Sequence, residues 1–283
     1  MYTISEISQF IGAKCVGHST NRISSLLTDS RSLCFPENTL FFALKTTRRD
    51  GHEFIPNLYQ RGVRCFVVSE MPVGDFPEAC FLLVDNTLRA LQMLARRHRE
   101  RFHIPVVGIA GSNGKTTVKE WLYQMLSPNR SVVRTPRSYN SQIGVPLSVW
   151  GMWEGAQLAL FEAAISQPGE METLREIIQP TIGIFTFLGE AHQENFTTIE
   201  EKLLEKLQIC RNAKRIFYCK QHSLIERKLH ELYPDKELIG WEQSKPDTDI
   251  IRAENTMHAL TYAKALGIDE DLLLQRTSEL RSI

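Results

Sequence analysis

The sequence predicts an α/β protein: a small α/β domain followed by a three-layer α/β domain with a phosphate-binding loop and a mainly parallel sheet. Three observations carry that expectation. Short apolar strands alternate with amphipathic helices along the chain. A glycine-rich turn, Gly111-Ser112-Asn113-Gly114-Lys115-Thr116-Thr117, joins the apolar strand Val106-Val107-Gly108-Ile109-Ala110 to a helical pattern. The 283 residues suffice for about two domains, each able to bury its own core.

In the first part, residues 5–11 read as a short capped helix and 39–44 as a buried strand. Residues 52–61 read as a helix, followed by the strands Cys65-Phe66-Val67-Val68 and Phe81-Leu82-Leu83-Val84. A longer helix over 88–101 carries Leu88, Leu91, Leu94 and Ala95 on one face. His103-Ile104-Pro105 then interrupts the pattern, which sets domains of 1–103 and 104–283. In the second part the helix after the glycine turn spans 115–126. Further strands are expected at 131–134, 158–164, 181–187 and 215–219, with helices at 171–178, 199–209 and 256–266 and a polar loop at 136–142. This alternation predicts helices on both faces of the sheet.

Lys plus Arg total 33 and Asp plus Glu total 33, so no net field draws nucleic acid or an anionic membrane, and neither partner is expected. The densest basic run, Arg96-Arg97-His98-Arg99-Glu100-Arg101, reads as the solvated end of a helix. No stretch of about 18 apolar residues occurs, and the N-terminus lacks the basic-then-apolar pattern of a signal peptide. The six cysteines are scattered without a C-x-x-C pair, which argues against a zinc ribbon or a redox pair and fits thiols in a reducing cytosol. A soluble, cytoplasmic monomer is the expectation.

The glycine turn carries the chemistry. Strand, turn and helix together aim backbone N–H groups and the positive end of the helix dipole at an anion. Gly111 and Gly114 let the backbone approach phosphate closely, Lys115 suits the β/γ-phosphates, and the Thr116 hydroxyl suits Mg²⁺. The strict G-x-x-x-x-G-K-[ST] pattern fails at its first position, where Ile109 stands. A plain helix-capping turn beside a surface lysine is the competing reading, and the strongly apolar strand before the loop counts against it.

The loop G-x-x-G-K-T-T resembles that of the Mur ligase family, ATP-dependent enzymes of bacterial cell-wall synthesis. Other blocks follow in that family's order. Thr28-Asp29-Ser30-Arg31, Leu40-Phe41-Phe42-Ala43-Leu44-Lys45 and Asp50-Gly51-His52-Glu53-Phe54 resemble the UDP-sugar-binding domain. Tyr139-Asn140-Ser141-Gln142-Ile143-Gly144-Val145-Pro146 and Gly189-Glu190-Ala191-His192-Gln193-Glu194-Asn195-Phe196 resemble the N-N-x-I-G-x-P and A-H-L-E-x-F blocks of the member that adds a dipeptide. The resemblance implies an amide-bond ligase of peptidoglycan precursor synthesis, with ATP and Mg²⁺ as cofactors. ATP would phosphorylate the terminal carboxylate of UDP-N-acetylmuramoyl-tripeptide, and the amine of D-Ala-D-Ala would attack the acyl phosphate. Such chemistry rests on positioning and metal charge, which fits the lack of a nucleophile–base pair.

The resemblance also implies roles for residues. Gly111, Ser112, Asn113, Gly114, Lys115, Thr116 and Thr117 would hold the phosphates, and Asn255, expected at the opening of the 256–266 helix, the adenine. Lys115, Glu162, His192 and Lys206 would be catalytic, with Thr116, Glu162, His192 and Lys206 as metal ligands. Glu162 matches the family's Mg²⁺-binding glutamate, although Ala163 and Ala164 replace the usual apolar–glycine pair; Pro168-Gly169-Glu170 keeps the register. Lys206 matches a lysine that takes up CO₂ to become an anionic oxygen ligand, and Lys202 is the competing candidate. Ser30, Arg31, Lys45 and Asn140 would bind the UDP-sugar-peptide, Arg31 through its forked guanidinium. Read without the resemblance, Glu162 is a strand-end carboxylate, His192 loop surface, Lys206 a solvated helix lysine, and Ser30-Arg31 a turn capped by Asp29.

Two departures stand out. Between about 246 and 254 the family has several strands and a G-x-H-N turn, whereas here Asp247-Thr248-Asp249-Ile250 runs almost directly into a helix. The sequence stops at Ile283, where the family's amino-acid-binding third domain is expected, so an inactive, shortened form is anticipated. Other readings are a Mur-type ligase adding a different residue, a folylpolyglutamate synthetase, which the N-terminal blocks disfavour, and a catalytically silent nucleotide-binding module.

Overall fold

The computed structural model describes residues 1–47, 49–189, 193–242 and 249–281. Strand β1 (Tyr2–Thr3) runs into helix α1 (Ile4–Ile11), and the sequence supplies both of its ends. Thr3 Oγ1 accepts the Glu6 N–H at 3.3 Å while Glu6 Oε2 accepts the Thr3 N–H at 2.7 Å, a reciprocal cap. Ile4, Ile7 and Ile11 form the buried face.

Strands β2 (Lys14–Val16), β3 (Arg22–Ile23), β4 (Ser25–Leu27) and β5 (Thr39–Phe42) follow, then helix α2 (Ile55–Gln60), strands β6 (Cys65–Val68) and β7 (Cys80–Leu83), and helix α3 (Thr87–Arg99). The helix expected over 52–61 begins one turn late, because Asp50 caps a 3₁₀ turn over Gly51–Phe54 and Pro56 opens α2. One sheet has the order β2-β7-β6-β5-β4, parallel except for the β2–β7 pair; β1 and β3 form a separate antiparallel pair. Its core packs Phe41, Phe66 and Phe81 with Ile55 and Leu58, the Phe66 and Phe81 rings stacked at 5.4 Å.

The chain divides into two compact units, Met1–His98 and Arg99–Ile283. The division falls where α3 ends rather than at His103–Pro105.

The second unit contains β8 (Val106–Ala110), α4 (Lys115–Leu126), β9 (Val132–Arg134), α5 (Gly144–Trp150), β10 (Leu158–Glu162), α6 (Glu170–Ile178), β11 (Ile182–Phe185), α7 (Ile199–Leu207), β12 (Arg215–Cys219), α8 (Ser223–Leu232), β13 (Glu237–Trp241), α9 (Ile250–Ala265) and α10 (Glu270–Ser278). All six strands are parallel, in the order β13-β12-β11-β8-β10-β9. From β8 the chain crosses to the edge strand β9, fills β10 between the two, and then passes to the other side of β8 at β11. The C-terminal end of β8 is therefore a topological switch point, where α/β sheets open a ligand crevice. Helices α4 and α9 cover one face through Val118, Leu122, Met125, Ala259, Tyr262 and Ala263, packed on Val107, Ile109 and Ile184. No described helix is long and apolar enough to cross a membrane.

Candidate active site

Strand β8 delivers the chain into the glycine loop, and register places Glu162 of β10 opposite Ile109 and Phe185 of β11 opposite Ala110. Gly111 adopts φ +144°, and a Cβ there would lie 2.0 Å from Thr186 Oγ1. That hydroxyl is committed, donating to Asn113 O at 2.6 Å. Gly114 caps α4 with φ +83°, and a Cβ there would meet Asn255 Oδ1 at 2.2 Å. Only glycine fits either position. The loop is pinned further by the Ser112 N–H donating to Phe187 O at 2.6 Å and by Ser112 Oγ donating to Gly189 O at 3.1 Å. The first-turn N–H groups of α4 then open onto a backbone held in one shape, the anion-binding arrangement expected of this loop.

Three lysines approach this loop from two helices. Lys115 Nζ folds back to donate to Gly111 O at 3.0 Å and Ser112 O at 2.9 Å. Lys206 Nζ reaches the same Gly111 carbonyl at 3.3 Å, and Lys202 Nζ donates to Gly189 O at 2.5 Å. All three are buried. Helix α7 gains this position because the 3₁₀ turn Gln208–Cys210 after it sits against two glycines: Cβ atoms on Gly108 and Gly183 would meet Ile209 and Cys210 at 3.0 Å and 2.6 Å. Burial lowers the Lys115 ammonium below its usual range, with the Glu162 charge opposing. Burial first, then the charges of Lys115 and Lys202, bring Lys206 down to about 8.

An oxygen pair also stands at the first turn of α4. Thr116 Oγ1 donates to Glu162 Oε2 at 2.8 Å, and Glu162 is fully buried, so it is not a solvated strand end. Its other oxygen lies 3.4 Å from Lys119 Nζ, a residue the sequence reading passed over. Lys119 is itself fully buried and donates to Thr135 O at 2.8 Å and to Arg137 O, while Glu120 Oε1 lies 3.1 Å away. The signal was its spacing: Lys119 follows Lys115 by one helical turn on the same face of α4.

The remaining expected residues divide. Asn255 is buried against Gly114, but α9 begins at Ile250, so Asn255 lies in the second turn rather than at the helix opening. The cap is Asp249, whose side chain accepts the Arg252 N–H at 2.9 Å. Asn140 O accepts the Ala164 N–H at 2.9 Å just beyond β10. His192 lies outside the described residues. In the first unit, Ser30 opens a 3₁₀ turn capped by Asp29, and the exposed Arg31 holds Asp29 through Nε at 2.9 Å and Nη2 at 2.6 Å. Lys45 lies 3.1 Å from Asp50 and 3.2 Å from Glu70.

A strand-to-helix phosphate loop on a parallel sheet is common to many enzymes. The sequence decides among them: residues 109–260 match the Mur ligase middle domain. This chain belongs to the Mur ligase family. The Mur ligase chain is 35% identical over 193 residues to the UDP-N-acetylmuramoyl-tripeptide–D-alanyl-D-alanine ligase of Bacillus subtilis, covering 68% of this chain and 42% of that protein. It is 40% identical over 172 residues to the enzyme of the same name from Synechocystis, covering 60% and 37%. The chain thus spans about two fifths of the length of these curated relatives. Crystal structures of MurF from Acinetobacter baumannii and of MurF ligase from Thermotoga maritima with ADP share the fold. The first has a TM-score of 0.90 at 21% identity, covering 100% of this chain and 69% of that one. The second has a TM-score of 0.79 at 24% identity, covering 93% and 67%.

The residues present suit a nucleotide and a hard cation. Glycines whose side-chain space is already taken form the cradle, and buried lysines supply positive charge. The Thr116 hydroxyl and Glu162 carboxylate are oxygen donors of the kind Mg²⁺ takes.

Proposed function

We propose that this chain carries the nucleotide- and substrate-handling part of an ATP-dependent amide-bond ligase that joins D-Ala-D-Ala to UDP-N-acetylmuramoyl-tripeptide. The observation that carries the reading is the convergence of Lys115 and Lys206 on Gly111, together with the Thr116–Glu162 pair at the start of α4. The relatives' names and the family membership agree with it.

In this reading, residues 104–283 handle ATP and residues 1–103 the UDP-sugar-peptide. ATP would supply the phosphoryl group that converts the peptide carboxylate into an acyl phosphate, and Mg²⁺, when bound, would neutralise charge on it. Gly111 to Thr117 orient the phosphates through backbone N–H groups, and Lys115 offers its ammonium to their outer oxygens. Asn255 borders the loop at Gly114 and would fix the nucleotide beside it. Thr116 and Glu162 would hold Mg²⁺, joined by His192 as the family pattern implies.

Lys206, in preference to Lys202, is the residue that takes up CO₂, because it alone of the two reaches the phosphate-loop carbonyl. Its amine nitrogen bonds the carbon of CO₂ and releases a proton, leaving an N-carboxylate. That step needs the neutral amine, and a value of about 8 keeps roughly one in ten Lys206 side chains neutral at pH 7. Ser30, Arg31, Lys45 and Asn140 would contact the UDP-sugar-peptide, the exposed Arg31 having N–H donors beyond those used on Asp29.

The test is phosphate release from MgATP with and without UDP-N-acetylmuramoyl-tripeptide, together with a search for pentapeptide when D-Ala-D-Ala is added. Release stimulated by the tripeptide and lost in Lys115→Ala supports the reading. A rate indifferent to the tripeptide contradicts it.

A further inference from the structure

At the C-terminal edge of the sheet, β12 ends on Cys219, and the turn after it is closed by the His222 N–H donating to Cys219 O at 3.3 Å. Glu254, in the second turn of α9, comes to the same place: His222 Nε2 and Glu254 Oε1 are 2.5 Å apart. The Cys219 thiol completes a group whose three ligand atoms lie within 4.8 Å of one another. Cys219 is buried, while His222 and Glu254 remain partly open to solvent, so the group has an entry path on one side.

We propose that Cys219, His222 and Glu254 form a binding site for a borderline-soft divalent metal of the Zn²⁺ class, separate from the oxygen-lined Mg²⁺ position at Thr116 and Glu162. The donor set is the first argument. One thiolate, one imidazole and one carboxylate suit Zn²⁺ and discriminate against Mg²⁺ and Ca²⁺, which take oxygen alone. Geometry is the second. Ligand atoms of a tetrahedral zinc centre stand roughly 3.3–3.7 Å apart, given bonds of about 2.0–2.3 Å. The three ligand atoms lie within 4.8 Å of one another, so binding requires the His222–Glu254 pair, now at 2.5 Å, to open and the sulfur to draw in.

Charge is the third argument. A thiolate, a neutral imidazole and a carboxylate together carry two negative charges, so a divalent ion leaves a site of zero net charge. The surroundings also hold unspent polarity. Trp241, the register partner of Cys219, donates its indole N–H to His258 Nδ1 at 3.2 Å. His258 follows Glu254 by one turn on the same face of α9, fully buried, and its Nε2 has no hydrogen-bond partner among the described residues.

A second cluster, Asp50, His52 and Glu70, has similar spacing but is already satisfied. Lys45 supplies its cation from 3.1 Å and 3.2 Å, and His52 Nε2 accepts the Ser69 N–H at 3.0 Å. Among the described residues no hydrogen bond or ion pair brings a lysine or arginine to the Cys219 group; the thiol itself donates to Gln221 Oε1 at 3.7 Å. The C-x-x-H spacing of Cys219 and His222 was visible in the sequence, but the third ligand comes from 32 residues further on.

The experiment treats the whole chain with chelator, then titrates it with Co²⁺ as a spectroscopic probe and with Zn²⁺ in competition. The expected result is one equivalent of Co²⁺ bound with a thiolate-to-cobalt charge-transfer band, displaced by Zn²⁺ and unaffected by excess Mg²⁺. Cys219→Ser should abolish the band, and His222→Gln should weaken Zn²⁺ binding by more than about tenfold, the lower end of what even an outer partner contributes. Cys15→Ser and Cys34→Ser, which alter the exposed thiols, should change neither. A wild-type protein that shows no thiolate–cobalt band overturns the proposal whether or not any variant folds. So does Zn²⁺ binding of equal strength in wild type and His222→Gln.

Discussion

Lys119 Nζ and Glu162 Oε1, both fully buried, stand 3.4 Å apart beneath the Thr116 hydroxyl that bonds the other carboxylate oxygen. This pair gives the buried Glu162 carboxylate a cationic partner at the C-terminal end of β10. Removing one partner leaves an uncompensated buried charge, which typically costs about 3–5 kcal/mol. Lys119→Met should therefore destabilise the chain by that order in urea unfolding, and Glu162→Gln added to it should recover part of the loss. Strictly additive effects in this double-mutant cycle would show that the two side chains do not act as a pair.

The second prediction concerns Gly111. Its φ of +144° and the 2.0 Å approach of Thr186 Oγ1 to a Cβ built there leave no room for alanine. Backbone strain of this kind costs on the order of 1–3 kcal/mol, and relief requires the loop to move away from Thr186. Gly111→Ala should lower the melting temperature and remove nucleotide-induced stabilisation. A variant that melts and binds nucleotide like the wild type would show that the loop does not depend on that contact.

These residues mark how far the sequence could be read. The strand over 106–110 and the helix over 115–126 match β8 and α4 residue for residue, because a fully apolar run and a glycine–lysine turn fix their ends. Helices α5, α8 and α10, strand β13 and the short first-unit strands β1 to β4 went unassigned. The first follows a loop dominated by polar residues, and β13 alternates only weakly, Glu237-Leu238-Ile239-Gly240-Trp241 being mostly half-buried at the sheet edge. The family block singled out Glu162, and the fold buries it at the end of β10. Lys119 was not legible, because its partners Thr135, Arg137 and Glu162 come from two stretches, after β9 and at the end of β10, that only the fold brings to it.

The third prediction concerns pH. Lys206 titrates near 8 when folded and near 10.5 when unfolded, so the folded state disfavours its ammonium. Between those values the unfolded chain binds more protons, and stability rises with pH across the window. Below pH 8 the full cost is present, up to about 3 kcal/mol. Measured without CO₂, Lys206→Met should be the more stable protein near neutral pH, its advantage fading as pH approaches 10.5. Parallel stability profiles for the two proteins from pH 8 to 10.5 would contradict the burial argument.

A fourth prediction tests the first unit by itself. Arg31 holds the Asp29 carboxyl down at about 2 through hydrogen bonds and charge. In Arg31→Ala that carboxyl should titrate closer to its ordinary 3.8, readable by NMR. Calorimetry on the same variant should show UDP-N-acetylmuramoyl-tripeptide binding clearly weakened, through loss of a charged hydrogen-bond donor. Unchanged affinity would remove Arg31 from the substrate site.

The central claim is that the loop from Gly111 to Thr117 is a working nucleotide site, and thermal unfolding with and without MgATP tests it most directly. A ligand bound only by the folded state adds RT ln(1 + [L]/Kd), about 2.7 kcal/mol at a hundredfold excess over Kd. The account predicts a stabilisation of that order in wild type that is largely lost in Lys115→Ala. Equal shifts in the two proteins, or no shift in wild type at saturating MgATP, would contradict it.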